Sequence, residues 1–470
     1  MPFSLLSPQE VETLHLATLR ILDETGILLN EPHSRRMLAE AGARLGEGRV
    51  FIPPELVERC VAQAGKQVTI RGRGGSSKTL GDGRLYFHRT APRAHLGRIG
   101  AGTRRQAVVQ DVRDAARLLD ALENCHTITP FFTPTDVPGS IMSLSMYRHA
   151  LPCTTKPLQG PGVQYAAEAR YAVRMAEVIG PPNEVLTLAL SPVSPLTLPD
   201  HEALAILEIA RLGIGFAPLP CPTAGTTAPF TISGAVAQQN AEVLSALVLA
   251  KLANPGLPVI YCGRLAMMAP RTGPSVWGGV ELGLASAVTV QIGHYYGLPV
   301  NVYGFSTNAH TLDAQDGFER ALNAALPALA GSDELSGIGE MDAGVMGSFA
   351  QMVADNEFAS SILRLRQGVG ADQEALAVDV VASAMQGTRN FLGQRHTMKH
   401  LKAGELLLTR LAERGSWESW DASGRQGMVE RAQAEVEKIL REHQVPPLDP
   451  SQERELDALL AAAQLELTQS

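Results

Sequence analysis

The alternation of apolar and polar positions predicts a helical start to the chain. Residues 7–23 open with Ser7 and Pro8, a pair suited to a helix cap and first turn. Apolar residues then recur at helical spacing, at Val11, Leu14, Ala17 and Ile21. The same pattern predicts a second helix over 33–43 and a third over 53–64. We therefore expect several helices ahead of the main body of the fold.

Residues 67–110 have a different pattern, in which glycines interrupt short strands, and this pattern indicates β-hairpins. The stretch contains nine basic residues and a single acidic one, Asp82. The basic residues are Arg71, Arg73, Lys78, Arg84, Arg89, Arg93, Arg98, Arg104 and Arg105. Two interpretations stay open: these charges are the solvated edges of hairpins, or they form a docking surface for an acidic partner.

From about residue 111, short apolar runs alternate with longer helical patterns. The predicted strands are 126–132, 185–192, 214–220, 258–263, 299–305 and 334–341. The clearest predicted helices between them are 201–212, 231–252, 279–296 and 315–330. Apolar strands that alternate with helices of about ten or more residues indicate a parallel sheet that is buried on both faces.

Two further strands complete the predicted sheet, one near 156–158 and one within 360–400. Eight parallel strands with helices between them fit a closed (β/α)8 TIM-type barrel. A doubly wound open sheet is the alternative, but no GxGxxG motif follows an early strand as a dinucleotide site would require. The predicted organisation is an N-terminal helical and hairpin extension (1–110), a (β/α)-barrel catalytic domain (111–424) and a C-terminal helical tail (425–470) outside the barrel.

Composition narrows the class of protein. Apolar residues make up 45% of the 470 residues, which is enough for a large buried core. The net charge of −8 argues against binding to nucleic acid or to an anionic membrane surface. The chain has neither a signal-peptide pattern nor a run of about eighteen apolar residues, so we expect a cytoplasmic enzyme. The five cysteines form no CxxC pair, so we expect reduced thiols.

Candidate functional residues follow the predicted strands, because a parallel barrel gathers its reactive groups at the carboxyl ends of the strands. Thr226 and Thr227 lead into a predicted helix, whose free N–H groups can hold a carboxylate or phosphate; ordinary capping explains the same residues. The long loop 263–281 carries Arg264 and Trp277, and the tryptophan either packs or lines a pocket for a cation.

Two later loops add further candidates. Residues 303–319 place Tyr303, Phe305, Ser306 and Asn308 at a strand end, which favours a catalytic loop over simple turn chemistry. In 337–348, Glu340 and Asp342 lie among glycines, where carboxylates can do acid/base work, bind a cation or cap a helix. There is no HExxH, GxSxG or P-loop motif and no cluster of metal ligands, so we expect no metal site.

Several longer segments together resemble one family. They are SPVSPLTL (191–198), AGTTAPFTISGAVAQQNAEVLSALVLAKL (224–252), VELGLASA (280–287), GLPVNVYGFSTNAHTLDAQDGFERAL (297–322) and GSFAQMVADNEF (347–358). In these segments the chain resembles the trimethylamine methyltransferase family. The resemblance implies a (β/α)-barrel that moves a methyl group from an amine to the cobalt of a separate corrinoid protein. It also implies that the chain itself binds no cofactor tightly and forms a homo-oligomer.

The resemblance also implies a substrate class. Family members that act on trimethylamine carry pyrrolysine at the end of the strand that here reads VNVYGFS, and this position falls on Ser306. Members without pyrrolysine act on betaine-type quaternary amines, so glycine betaine, proline betaine, carnitine or choline is the implied substrate. Such a substrate carries its positive charge already and needs no covalent activation.

We assign hypothetical roles on this basis. Tyr303, Phe305 and Trp277 cradle the ammonium, and Asp342 or Glu340 adds charge complementarity. A substrate carboxylate meets Arg264 or the N–H groups of Thr226 and Thr227, and Asn308 is a further substrate-binding residue. Two alternatives stay open: a barrel enzyme that acts on a carboxylated or phosphorylated small molecule without a corrinoid, and a non-catalytic protein that binds quaternary amines.

Overall fold

A computed structural model describes residues 3–88, 93–98, 102–387 and 389–469. The chain begins, as predicted, with three helices, and these enclose a small antiparallel sheet. The elements are α1 (Pro8–Arg20), β1 (Ile27–Leu28), α2 (Pro32–Glu40), β2 (Arg44–Leu45), β3 (Arg49–Phe51) and α3 (Pro54–Ala62). Helix α1 starts at a reciprocal capping box between Ser7 and Glu10, with Pro8 in its first turn, so the predicted helix start is confirmed.

Two antiparallel hairpins follow, and they confirm the glycine-interrupted strand pattern of 67–110. The first pairs β4 (Val68–Arg71) with β5 (Ser77–Leu80), and the second pairs β7 (His95–Arg98) with β8 (Thr103–Gln106). Between them lies a short strand, β6 (Tyr86–His88), which belongs to neither hairpin.

The chain then alternates between helix and strand up to residue 367. The elements are α4 (Val109–Ala121), α5 (Met142–Ala150), β9 (Leu158–Gly162), α6 (Ala166–Glu177), α7 (Pro182–Val185), β10 (Leu186–Leu190), α8 (Asp200–Leu212), β11 (Gly215–Pro218), β12 (Thr223–Ala224), α9 (Ile232–Ala253), β13 (Tyr261–Gly263), β14 (Ala266–Met268), β15 (Ser275–Val276), α10 (Val280–Tyr295), β16 (Val300–Tyr303), α11 (Ala314–Leu329), β17 (Glu334–Ser336), β18 (Glu340–Met341), β19 (Met346–Gly347) and α12 (Phe349–Gln367).

The parallel strands form a ring. Its members in order are β6, the extended segment 127–128, β9, β10, β11, β13, β16 and β17, and β17 pairs in turn with β6. Single bridges make three of the links, at 88/127, 128/158 and 216/259. Along the chain, each strand of the ring is followed by at least one helix before the next strand of the ring begins. The fold is therefore the predicted (β/α)8 TIM-type barrel.

One predicted strand is wrong. The described part of 360–400 holds no strand; it contains the end of α12, α13 (Gln373–Leu376), α14 (Val378–Gln386) and the start of α15 (Arg395–Lys402). The eighth barrel strand is β6, which lies inside the stretch predicted to form hairpins. The predicted strand 334–341 is also shorter, because the left-handed backbone at Gly337 (φ 114°) ends β17 after Ser336.

The C-terminal tail packs on the outside of the barrel, as predicted. It consists of α17 (Met428–Glu442), which contacts α4 and α12, and α18 (Pro450–Gln469), which contacts α5 and α6. A short helix, α16 (Trp417–Ala422), precedes it. Within the described residues, every helix is too short or too polar to cross a membrane.

Helix α9 is buried on all sides, and the N-terminal helices explain why. Every residue from Ala235 to Lys251 is buried. Helices α1 and α3 cover its outer side, while α8 and α10 flank it. A helix without an exposed polar face is stable only where it is surrounded in this way. The N-terminal extension therefore shares one continuous core with the barrel.

The hairpin β4–β5 closes the amino-terminal end of the barrel, which we call the base. Lys78 reaches into the base, where its ammonium donates to Gln159 Oε1 at 2.7 Å and pairs with the carboxylate of Glu334. Glu334 also accepts hydrogen bonds from the side-chain amides of Gln159 (2.8 Å) and Asn301 (2.5 Å). Burial alone would raise the pKa of Glu334, but His88 and Lys78 lower it to about 2.

The basic residues of 71–105 therefore do not form one surface. Lys78 and Arg93 are buried in the barrel, and Arg89 lies outside the described residues. Four others make ion pairs with acidic residues: Arg71 with Glu184, Arg84 with Asp82, Arg104 with Asp342 and Arg105 with Asp111. Arg73 donates to the carbonyl oxygens of Thr154, Pro152 and Pro446. The described members of this group therefore do not form a continuous docking surface of free positive charges.

Candidate active site

The end of β16 carries a bulge that decides which side chains face the barrel interior. The N–H groups of Gly304 and Phe305 both donate to the carbonyl oxygen of Ser336, each at 3.0 Å. Two residues therefore oppose one, and the alternation of side chains resets. Tyr303 and Ser306 consequently both lie beside Glu340. This close approach requires glycine at 337, where a Cβ would lie 2.7 Å from Phe305 O.

Phe305 takes the opposite direction. Its ring is fully buried in the hydrophobic core and packs against Phe87, with ring centroids 5.7 Å apart. The predicted role of Phe305 in an ammonium cradle is therefore wrong, because the bulge turns its side chain away from the barrel interior.

Glu340 lies at the centre of a buried polar cluster. Its carboxylate pairs with Arg93 and accepts a hydrogen bond of 3.4 Å from the Ser306 hydroxyl. Burial alone would lower the pKa of Arg93, but Glu340 and Tyr303 outweigh this effect and raise it. Ser306 has no exposed surface.

Arg264 is a second buried guanidinium beside this cluster. It stacks over the ring of Tyr303, with its central carbon 4.4 Å from the ring centroid. Its hydrogen bonds within the described residues go to neutral groups: the carbonyl oxygens of Gly263 and Asn301, the Asn301 amide oxygen and the Ser336 hydroxyl. Arg264 therefore has no counter-ion in the described part of the chain.

The two guanidiniums also retain unused donors. The Nε atoms of Arg264 and Arg93 are buried and have no hydrogen-bond partner among the described residues. Buried donors are normally paired, because an unpaired one loses its hydrogen bonds to water without replacement. The described residues of the cluster thus hold two positive groups, one carboxylate and two unpaired donors, so the cluster has an excess of positive charge.

Cys221 lies on the exposed side of the cluster. Its residue is exposed, whereas Arg93, Arg264, Tyr303, Ser306 and Glu340 are buried. The surrounding protein raises the pKa of its thiol to about 11, and Arg264, Arg93 and Glu340 are among the charges that act on it. We call this set of residues the inner site; its members are Arg93, Cys221, Arg264, Tyr303, Ser306 and Glu340.

Trp277 lies half-buried at the entrance to the inner site. Its ring meets the ring of Tyr303 edge-on, at 5.4 Å and 86°. Asn308 fixes this loop, because its amide oxygen accepts from the N–H groups of Trp277 and Gly278, each at 2.7 Å. Asn308, predicted to bind substrate, therefore uses its side chain to hold the loop.

Asp342 faces a different space from Glu340. It pairs with Arg104 at 3.0 Å and with His310 at 3.1 Å. These three residues line a pocket of about 370 Å³ at the barrel mouth, between hairpin β7–β8 and the loop after β18. We call it the outer pocket. The predicted carboxylate pair is thus divided between the two spaces, and Asp342 has a left-handed backbone (φ 52°), which is strained for a residue other than glycine.

The predicted anion site at Thr226 and Thr227 is wrong. Both N–H groups donate to the carbonyl oxygen of Thr223 within a turn, at 3.1 Å and 2.9 Å. Helix α9 begins later, at Ile232. Since these N–H groups already have partners, they are not free to hold a substrate carboxylate.

Arg320 positions the inner site from behind. This buried guanidinium pairs with Asp316 (2.6 Å) and Asp355 (3.0 Å) and donates to the carbonyl oxygens of Phe305 and Glu340. These hydrogen bonds hold the residues after β16 close to the loop after β17. Burial raises the pKa of Asp355 to about 7, against the opposing effect of Arg320.

Sequence reasoning missed three of these residues. Cys221 carried a positional signal, because it follows a predicted strand directly. Arg93 had been grouped with surface charges, and its partner Glu340 is 247 positions away. Arg320 lies inside a helix and carried no local signal of its role.

The fold and the inner site define a (β/α)8-barrel enzyme with buried polar groups at the carboxyl ends of its strands. The sequence matches the trimethylamine methyltransferase (MTTB) family over residues 1–467. The chain belongs to this family, and it is a methyltransferase.

Similar proteins cover the whole length of the chain. Trimethylamine methyltransferase MttB of Desulfitobacterium hafniense (strain DSM 10664 / DCB-2) is 29% identical over 452 residues, which cover 94% of this chain and 90% of the relative. Glycine betaine methyltransferase of Desulfitobacterium hafniense (strain Y51) is 26% identical over 468 residues, covering 98% and 97%. The crystal structure of the Methanosarcina barkeri monomethylamine methyltransferase (MtmB) covers 100% of this chain and 88% of its own, with a TM-score of 0.55 at 12% identity, and shares the fold.

Proposed function

We propose that the protein transfers a methyl group from a carboxylated quaternary amine, such as glycine betaine, to the cobalt of a partner corrinoid protein in the cytoplasm. Relatives named trimethylamine methyltransferase and glycine betaine methyltransferase support a methylated amine as the substrate. Serine at 306, where the family resemblance expects pyrrolysine, supports a quaternary amine over trimethylamine.

The charge of the inner site is the observation that carries the proposal. Arg93 and Arg264 bring two positive charges, and among the described residues of the site only the carboxylate of Glu340 opposes them; each guanidinium also keeps an unpaired Nε. A buried positive charge without a partner is unfavourable, and a substrate carboxylate would relieve it. A betaine brings this carboxylate together with its ammonium, whereas choline and trimethylamine bring none.

The arrangement of the side chains supports one orientation of such a substrate. Arg264 bonds to Asn301 and Ser336 inside the barrel, below the ring of Tyr303, while Trp277 stands at the entrance. The carboxylate would then lie deep, towards Arg264, and the methylated ammonium would lie near Trp277 and Glu340. Aromatic and anionic groups both favour a cation at this position. The methyl groups would therefore point towards the mouth.

The proposed reaction requires the protein mainly to bind and orient the substrate. The reduced corrinoid of the partner, when bound at the mouth, would supply the electron pair that forms the new bond to the methyl carbon. The electrons of the broken C–N bond stay on nitrogen, so a neutral tertiary amine leaves and no proton is required. The side chains of the inner site hold the substrate in line and exclude water, and such positioning can account for much of a rate gain.

The mouth also fits a methyl acceptor that arrives on another protein. The outer pocket opens at the same end of the barrel as the inner site, and hairpin β7–β8 with Arg104 forms one of its walls. A corrinoid presented there would reach the outward-facing methyl groups. The chain would thus provide the amine site, and the partner would provide the cofactor.

The test combines binding with turnover. Purified protein is titrated calorimetrically with glycine betaine, proline betaine, carnitine, choline and trimethylamine, and each compound is then incubated with free cobalamin in its reduced state. We expect one carboxylated quaternary amine to bind best and to lose a methyl group only when reduced cobalamin is present. Equal affinity for choline would contradict the role of the carboxylate.

The same experiment separates the two alternatives. The excess positive charge of the inner site also suits a carboxylated or phosphorylated small molecule that reacts without a corrinoid. Product formation in the absence of cobalamin would support that alternative. Tight binding of a betaine without turnover, even with a reduced corrinoid protein, would identify a non-catalytic binding protein.

A further inference from the structure

Two aspartates behind the inner site, Asp316 on α11 and Asp355 on α12, share one buried cation. Asp316 accepts from Nε of Arg320 at 2.6 Å, and Asp355 accepts from Nη1 of the same guanidinium at 3.0 Å. All three side chains are at most 1% exposed. Two ionised carboxylates beside one guanidinium would leave a net negative charge in a fully buried place, which is unfavourable. Charge balance therefore favours one proton on this pair of carboxyls.

The hydrogen bonds of this cluster are also short of a donor. Oδ2 of Asp316 is buried and makes no hydrogen bond of normal geometry among the described residues, and the same holds for Oε1 of Gln351 on α12. The Gln351 amide donates to Oδ1 of Asp355 at 3.0 Å, and it lies near enough to Asp316 to lower the pKa of that carboxyl. Buried oxygens normally accept a hydrogen bond. A proton on the carboxyl of Asp316 would supply the missing donor.

The surroundings of the two carboxyls determine the pH at which this proton leaves. Burial is the largest effect on both and raises the pKa of each, against the opposing effect of Arg320; for Asp355 the result is about 7. Asp313 at the cap of α11 raises the pKa of Asp316 further, and Glu340 acts on Arg320 from the inner site. Helices α4 and α17 also pack against α12, but within the described part of the chain their charges are not among the main causes of either shift. Because the two carboxyls interact, they titrate as a pair.

The cluster holds the backbone around Glu340. Asp355 accepts from the N–H of Gly339 at 2.7 Å. Arg320 donates to the carbonyl oxygen of Glu340 and, at 2.8 Å, to that of Phe305. If the proton leaves, two ionised carboxylates repel each other and compete for one guanidinium, which draws Arg320 away from the two carbonyl oxygens. The support of Glu340 in the inner site is then weaker.

We propose that Asp316 and Asp355 share one proton, and that this proton keeps Glu340 in position for the amine. The two aspartates are then positioning residues, which act on the substrate through Glu340. The effect on the amine rests on the proposed function, whereas the shared proton can be detected without any substrate. Since the protonated cluster is the form that binds the amine best, affinity should be higher at lower pH, and binding of the amine should take up part of a proton near neutral pH.

Calorimetric titration at about pH 6 and about pH 8.5 tests the link to the amine, with the compound that binds best among glycine betaine, proline betaine and carnitine. We expect the dissociation constant of the wild type to be about fivefold or more higher at the upper pH, on the scale of coupling between two sites. Asp316→Asn keeps an oxygen for Arg320 and places an amide N–H where the carboxyl proton would lie, so it imitates the protonated cluster. This variant should bind at both pH values as the wild type binds at the lower one.

Asp313→Asn is the matched control. It removes a negative charge from the exposed cap of the same helix, where asparagine caps as well as aspartate does. The control should keep the pH dependence of the wild type. An unchanged pH dependence in Asp316→Asn, or affinity in the wild type that does not vary with pH, would overturn the link between the cluster and the amine.

Stability gives a second readout, which needs no substrate. The folded protein raises the pKa of the pair, so its contribution is full below the ordinary value near 3.8 and is lost as the pH rises through about 7. The denaturation midpoint of the wild type should therefore fall relative to that of Asp316→Asn between about pH 5 and about pH 8. Asp355→Asn serves as a second neutral form. A constant difference between wild type and variant, or failure of both asparagine variants to fold, would overturn the shared proton. If this midpoint shifts but none of the compounds binds at either pH, the shared proton is supported and the proposed function fails.

Discussion

Both ends of the barrel contain buried charged side chains, but these charges are paired at the base and only partly paired at the mouth. At the base, Lys78 is matched by Glu334, and Gln159 and Asn301 satisfy the remaining oxygens. At the mouth, Arg93 is matched by Glu340, but Arg264 has no carboxylate among the described residues. The base is also covered by hairpin β4–β5, whereas Cys221 is exposed at the mouth.

This difference indicates which buried charges serve the fold and which serve a ligand. A buried pair with all its hydrogen bonds is self-contained, and breaking it destabilises the protein strongly. An unpaired buried charge lowers stability until a ligand of opposite sign arrives. We therefore expect changes at the base to act on folding and changes at the mouth to act on binding.

The largest effect is expected at the base. Lys78→Met removes the ammonium from the buried carboxylate of Glu334 and leaves only His88 as a cationic partner, so the free energy of unfolding should fall by about 3–5 kcal/mol. The double variant with Glu334→Gln should recover much of this loss, because the uncompensated charge is gone. Denaturant titration followed by circular dichroism measures both variants.

A matched control lies on the same hairpin. Arg71 pairs with Glu184 at 3.3 Å, and both side chains are largely exposed. Arg71→Met should therefore change stability by less than about 1 kcal/mol. If Lys78→Met changed stability as little as Arg71→Met, the buried pair of Lys78 and Glu334 would not be important for the stability of the fold.

The next effect is a dependence of stability on acid. The pKa of Glu334 is lowered to about 2 from its ordinary value near 4.5. Its ion pair therefore stabilises the fold fully above about pH 4.5, and this stabilisation is lost as the pH falls towards 2. The advantage of the wild type over the Lys78→Met/Glu334→Gln variant should shrink by about 2 kcal/mol between pH 5 and pH 3. Parallel denaturation curves at the two pH values measure this change; a constant difference would show that Glu334 titrates normally.

At the mouth, Arg264→Met should act on affinity instead. We expect the dissociation constant of the carboxylated amine to rise by about 30–100-fold, because the variant removes the guanidinium that lacks a counter-ion. Binding of choline should stay the same or improve. Calorimetric titration with both compounds measures the change in discrimination.

Arg104→Met is the control for charge at this end of the barrel. It removes a positive charge from the outer pocket, where Arg104 is 53% exposed, and should alter affinity by less than about threefold. An equal loss of affinity in both variants would mean that general charge, and not the inner site, attracts the substrate.

The sequence predicted the barrel but only part of the site, and particular elements show why. Helix α9 and the apolar strands could be predicted because they show patterns of apolar residues, and these patterns depend only on spacing within the local sequence. Strand β6 has only three residues, too few to separate a barrel strand from a hairpin. Its identity depends on pairing with β17, which is about 250 positions away in the chain.

The inner site was harder to predict for the same physical reason. Tyr303, Ser306, Glu340 and Arg264 were identified because each follows an apolar strand. The sequence gives no sign of the bulge at Gly304 and Phe305. The ring of Phe305 was therefore predicted to face the substrate, although it faces the hydrophobic core. Arg93 became a site residue only through its distant partner Glu340.

A loss of affinity smaller than that of Arg264→Met separates two of the three aromatic residues that the sequence had grouped together. Trp277→Ala should weaken binding of the quaternary amine by about tenfold, the scale of one cation–π contact, and should leave the melting temperature nearly unchanged because the ring is half-buried at the entrance. Phe305→Ala should lower the free energy of unfolding by about 3–5 kcal/mol, because its buried ring packs against Phe87. Its affinity for the amine, measured on folded protein, should change less than that of Trp277→Ala. A larger loss of affinity in Phe305→Ala would place its ring back at the substrate and would contradict the direction that the bulge gives it.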